Sequence, residues 1–157
     1  MSKGTFYEYF EHKQHLLLAL LDDDASALDR EFARIASTRP SGAARVRAFA
    51  MLMTGHGENP ARLQIHADLW AHASQESVRT RLAEVVQRRR DLVQGWVEEA
   101  VVSGELTESV ANALASTMVA LADGLMLHGA LDASGYRRDT VGRALDLLLA
   151  GIEAAPT

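Results

Sequence analysis

The side chains able to do chemistry are spread along this sequence rather than gathered. Six histidines are present and cysteine is absent. Lack of thiols excludes a cysteine nucleophile, a disulfide framework and cysteine-ligated zinc, and it fits a reducing compartment. His66, Asp68 and His72 form the densest potential ligand group. Asp68 and His72 are spaced to share one helical face, but His66 falls off that face and no His-x-x-x-His pair occurs, so no metal site is expected. Asp22-Asp23-Asp24 would point three ways from a helix, which argues against a cation site. Ser, His and Asp occur without a Gly-x-Ser-x-Gly elbow or a glycine-rich phosphate loop, so neither catalytic residues nor a cofactor are expected. Arg88-Arg89-Arg90, flanked by Glu84 and Asp91, reads as the solvated side of a helix. His66 and His128 are candidates for polar groups in an apolar pocket, or equally for hydrogen-bonded core histidines.

The elements that would carry these residues are helical. The chain has 157 residues, 48% of them apolar, with only three prolines. That is one domain, large enough to bury a core. Between residues 12 and 37, Leu17, Leu21, Leu28, Phe32 and Ile35 recur at helical spacing, and Arg39-Pro40-Ser41-Gly42 stops the run. A second helix is predicted over 43–54, with Val46, Phe49, Ala50 and Met53 on one face. Asn59-Pro60 reads as an N-cap followed by proline at the first helical position. The helix it opens should reach about Ala73, with Leu63, His66, Leu69 and Trp70 on a face. Ser77 is placed to cap a long helix from Val78 to Val102, and Gly104 suits its C-terminal end. Thr107 starts a fifth helix, with Val110, Leu114, Met118, Leu121 and Leu125 inward, ending near Leu131. The sixth is predicted from Arg138 to Ile152. No strand-like alternation bounded by hairpin turns appears.

The last two helices are apolar on more than one side. Leu125 and Leu127 point different ways, and Leu145, Leu147, Leu148 and Leu149 cover most of a circumference. A helix of that kind is central to a bundle or is buried by a second subunit. The predicted solution is a homodimer with a four-helix interface that uses Leu127, Leu145, Leu148, Leu149 and Ile152.

The most specific signal is at the start: Ser2-Lys3-Gly4-Thr5-Phe6-Tyr7-Glu8-Tyr9-Phe10, then Lys13 and a helix opening with Leu16-Leu17-Leu18. This segment closely resembles the recognition helix of TetR-family transcriptional repressors. Asp68-Leu69-Trp70, Ser103-Gly104-Glu105-Leu106 and Asp123-Gly124-Leu125 resemble, more weakly, the family's regulatory domain. The resemblance implies an all-α helical bundle. Residues 1–11 would be a remnant of the helix-turn-helix, and residues 12–157 the ligand-binding and dimerisation domain. Lys3, Gly4, Thr5, Tyr7, Tyr9 and Lys13 would be the DNA-contacting residues. Thr5 suits a thymine methyl or a base edge, while the tyrosines and Lys13 suit phosphates. A TetR-type DNA-binding domain has three helices, and two of them would precede Ser2. A start placed too late in the gene, a shortened chain or a true loss would each give this beginning.

The implied function is a cytoplasmic regulator, a repressor and not an enzyme, released from operator DNA when a small hydrophobic effector enters the helical core. The candidate walls are Phe32, Phe49, Met53, His66, Leu69, Trp70, Trp96, Met118, Leu121, Leu125 and His128. With no Arg or Lys on the inward stripes, the effector is expected to be neutral or cationic. The alternative is a non-regulatory helical dimer that binds a small apolar molecule. No run of apolar residues is long enough for a membrane span. Sixteen basic against 21 acidic residues give a net charge of −5, so DNA contact must be local. As it stands, the chain is expected to bind duplex DNA weakly and without sequence preference. Titration of operator and random duplexes checks this, and discrimination of about a hundredfold, roughly 2.7 kcal/mol, would contradict it.

Overall fold

The computed structural model describes residues 13–56, 59–132, 134 and 137–153. Among them the secondary structure is entirely helical: α1 (Lys13–Thr38), α2 (Gly42–His56), α3 (Pro60–Ala71), α4 (Glu76–Val102), α5 (Glu108–Leu131) and α6 (Arg138–Glu153). None of these helices is long and apolar enough to cross a membrane.

Helix boundaries follow local chemistry. At the end of α1, the hydroxyls of Ser37 and Thr38 donate to the Arg34 carbonyl at 3.0 and 2.7 Å. The Ser41 hydroxyl accepts from the Ala44 amide at the start of α2. Asn59 caps α3, its side-chain oxygen accepting from the amides of Ala61 and Arg62 at 3.0 and 3.4 Å, with Pro60 in the first turn. That matches the sequence expectation. The start of α4 differs from it. Gln75, not Ser77, occupies the N-cap position, and no side-chain bond caps the helix there. The Gln75 carbonyl accepts from the Arg79 amide and closes the first turn. At the other end, Gly104 takes φ +76°, and the amides of Glu105 and Leu106 turn back to the Ala100 carbonyl at 2.8 and 3.1 Å. A residue with a Cβ resists that backbone, which is why glycine stands there.

Packing builds two connected apolar regions. The larger one joins the second half of α1 to α2, α4, α5 and α6, with Phe32, Phe49, Met53, Val93, Trp96, Met118 and Leu145 among its buried members. Phe32 and Phe49 pack ring against ring, with centroids 5.3 Å apart. The smaller region joins the first half of α1 to α3 and the beginning of α4 through Leu17, Leu21, Leu69, Val78 and Val85. Helix α5 is central within the chain, lying against both α2 and α4. Its alanines at 111, 115 and 122 are buried and permit close approach. Part of its two-sided apolar character is therefore used inside one subunit. Helix α6 packs on α2, where Arg47 pairs with Asp146, and Arg45 of α2 pairs with Glu99 of α4.

Gly42 fixes the contact between α2 and α4. A Cβ there would lie 2.1 Å from the Trp96 carbonyl oxygen and 2.7 Å from the Ala100 nitrogen, both of them backbone atoms that cannot swing aside. Gly95, within α4, has nothing within 4 Å of the equivalent position. Gly42→Ala is expected to destabilise the fold by about 1–3 kcal/mol. Gly95→Ala is expected to stabilise it by roughly 0.5–1 kcal/mol, because alanine is the better helix former. Urea unfolding of the two variants checks the contrast.

Candidate functional site

Three of the buried stripes are interrupted by a charged or ionisable residue, and the interruptions meet. On α1, Asp24 stands one turn from both Leu21 and Leu28 and is only 6% exposed. On α3, His66 takes the inward position one turn before Leu69. On α4, Arg89 sits between Val85 and Val93 and is 5% exposed. Asp123 of α5 completes the group beside buried Ala122.

The contacts are specific. His66 Nε2 lies 3.2 Å from Asp24 Oδ2. Arg62, one turn earlier on α3, brings its Nε to 3.6 Å from Asp24 Oδ1. Arg89 Nη1 donates to Asp123 Oδ1 at 3.4 Å, a long bond. Arg89 Nη2 is buried and finds no acceptor among the described residues. Burial pushes the Arg89 guanidinium below its ordinary range, against the attraction of Asp123, Asp24 and Asp29. Burial likewise pushes the Asp123 carboxyl up, against the attraction of Arg89 and His66. Leu21, His66, Trp70, Val85, Arg89 and Asp123 border a cavity that holds about 10 Å³, room for a single water.

This arrangement corrects two sequence readings. The arginine run is not uniformly solvated: Arg88 is exposed and Arg89 is inside. The inference of a neutral or cationic effector loses its premise, since a cation does face inward. The signal lay in the spacing Leu82, Val85, Arg89, Val93, Trp96, a continuous helical stripe in which position 89 must point to the core. The Asp22–Asp24 triplet gives a similar result. Two members are exposed, while the third falls on the α1 stripe and is buried.

The predicted pocket residues separate into four places. Phe32, Phe49, Met53, Leu69, Trp96 and Met118 are packed in the apolar core. His66 and Trp70 border the polar cluster. Leu121 and Leu125 line a different feature, an apolar groove of about 200 Å³ shared with Val141, Leu145 and Leu148. His128 is exposed. Trp70 does not share the buried face of α3, as the sequence reading placed it. Its neighbour Leu69 takes that face, and Trp70, one step round the helix, is 58% exposed at the edge of the cluster.

Of the expected interface residues, Leu145 and Leu149 turn inward, on the helix that packs on α2. Leu127 and Leu148 are exposed, joined by Leu131 and Leu147. The side chain of Ile152 lies outside the described residues, as do Lys3, Gly4, Thr5, Tyr7 and Tyr9 entirely and the side chain of Lys13. Among the described residues no three His, Asp or Glu side chains converge as metal ligands.

Residues 42–154 match the family model described as the C-terminal domain of BetI-type transcriptional repressors. A search of the curated proteins returns no match.

The raised Asp123 carboxyl has a consequence for stability. Because the fold disfavours its charged form, the neutral form contributes stability that is fully present below the ordinary value of 3.8. That contribution is lost as pH rises through the higher folded value. Asp123→Asn stays neutral throughout. It is expected to gain stability relative to the parent as pH climbs from 3.8 through that window. Urea unfolding of both proteins at stepped pH checks this; a difference that is flat with pH would contradict it.

Proposed function

We propose that this chain, which belongs to the BetI-type family of TetR transcriptional regulators through its match over residues 42–154, senses a small molecule for a repressor and releases it from DNA. In this reading residues 12–157 form the ligand-binding and dimerisation domain, residues 1–11 belong to the recognition helix, and the protein works in the cytoplasm on operator DNA. It is a regulator and has no assigned catalytic chemistry.

One observation carries the reading: the buried polar cluster includes a residue of α1. This helix has 26 residues, about 39 Å of rigid rod, and its N-terminal end adjoins the segment that resembles a recognition helix. Asp24, near its middle, contacts His66 and lies close to Arg62. A ligand that entered beside Trp70 and rearranged His66, Arg89 and Asp123 would change what holds α1. Half-site spacing on B-DNA is fixed, so a small change in recognition-helix separation weakens operator binding.

A dimer is needed for that geometry. The exposed apolar face of α5 and α6 supports one, with Leu127, Leu131, Leu147 and Leu148 on it beside the groove bordered by Leu121 and Leu125. Solvated leucines in such number mark an interaction surface, and obligate helical dimers bury upward of about 2,000 Å².

Two measurements test the reading. Light scattering at micromolar concentration is expected to give a dimer, and Leu147→Glu with Leu148→Glu a monomer; a monomeric parent would contradict the assembly. In a protein that carries this chain behind a complete helix-turn-helix, compounds that alter indole fluorescence are expected to weaken binding to an operator selected from random duplexes, and that operator to weaken compound binding by the same factor. Compounds that bind and leave DNA affinity unchanged would contradict the sensing role.

A further inference from the structure

The cluster contains a donor that none of the described residues uses. Arg89 is nineteen-twentieths buried, and the bond from its Nη1 to Asp123 is long. Its Nη2 lacks an acceptor among the described residues. A buried guanidinium is normally held by paired, short, charge-assisted bonds, and one left half-satisfied is unfavourable. The imbalance has a direction. Among the described residues, the buried side-chain polar atoms without a partner are both arginine nitrogens, Arg89 Nη2 and Arg90 Nε, and no carboxylate oxygen is among them. Only Arg89 borders the cavity. What the site lacks is an acceptor.

We propose that Arg89 Nη2 is the anchor for an oxygen acceptor, a carboxylate or carbonyl, on a small apolar effector whose hydrocarbon part lies against Trp70, Leu82 and Val86. This rests on the sensing reading above and names the ligand class for it. The surroundings fit. Leu21, Leu82, Val85 and Val86 supply apolar walls around three polar groups, Arg89, His66 and Asp123, the usual make-up of a small-molecule site. The free space, about 10 Å³, is too small for such a molecule, so entry requires a side chain to move. Trp70 is the wall residue most open to solvent, and its displacement opens the cavity without unpacking the core. An acceptor at Nη2 sits next to the Nη1–Asp123 bond and changes the charge balance around Arg89, which also attracts Asp24 of α1. A cationic head group would meet like charge at Arg89 and opposite charge at Asp123, so a trimethylammonium compound reports which of the two governs the site.

The test uses a matched phenylpropyl series ended by a carboxylate, a primary amide, a methyl group or a trimethylammonium group. Binding to the full chain at pH 7 is followed by calorimetry and indole fluorescence. The carboxylate and the amide are expected to bind about tenfold to a hundredfold more tightly than the methyl and trimethylammonium compounds. Arg89→Leu, and Arg89→Gln should the first variant not fold, are expected to bring the acceptor compounds down to the methyl level. A thermal melt verifies that each variant is folded. The ranking of the four compounds on the parent needs no variant. Tighter binding of the trimethylammonium or methyl compound, with quenching of the indole, would overturn the acceptor proposal and leave the sensing role standing. Failure of all four to bind at millimolar concentration would overturn both at this site. Acceptor binding that is unchanged in the Arg89 variants would overturn the anchor.

Discussion

Taking the Asp24 carboxylate out of water costs several kcal/mol, and the first half of α1 is organised around offsetting that cost. Its nearest described partners include two residues of α3, with His66 Nε2 at 3.2 Å and Arg62 Nε at 3.6 Å. The α1–α3 contact is thus specified by a polar match as well as by Leu17, Leu21 and Leu69. Apolar contact alone tolerates sliding and repacking. A buried carboxylate with one histidine to meet fixes register, because any displacement leaves a charge unmatched. The second half of α1 has no such constraint and is held by Phe32 and Ile35 in the larger core. One helix therefore has two kinds of attachment, a uniform apolar one and a localised polar one.

The local attachment gives a physical route from a small molecule to a long helix. Arg89 and Asp123 belong to α4 and α5, which with α2 form the most closely packed part of the molecule. His66 belongs to the short α3. A group that changed the balance among these charges would act between a rigid block and a helix rod, where a change in one contact translates into displacement. The groove and exposed leucines lie on other residues of α5 and on α6, so the proposed assembly and the proposed sensing would draw on separate surfaces.

Much of this architecture was legible in the sequence. Asn59-Pro60 and Gly104 act on their immediate neighbours, Asn59 by its side-chain oxygen and Gly104 by its backbone, so they locate a helix start and a helix end without knowledge of the fold. The apolar faces of α1 and α2 were equally plain. What periodicity by residue type concealed was the cluster. Arg89 and Asp24 occupy inward positions, but a reading that counts only apolar residues skips them. The facing of Trp70 was beyond it too: Leu69 and Trp70 are adjacent, either can face the core, and tertiary packing chose the leucine. Leu145 and Leu149, expected at an interface between subunits, are buried within the chain for a related reason, since α2 covers the α6 stripe they share with Val141.

The polar cluster, in addition to the apolar burial of Leu17 and Leu21, holds the first half of α1 in place. Amide hydrogen exchange along α1 in the parent and in His66→Ala measures this directly. The account predicts faster exchange over residues 20–28, around Asp24, with the Phe32–Ile35 end of α1 and the amides of α5 unchanged. Exchange that stayed the same around Asp24, or that rose equally in every helix, would contradict it.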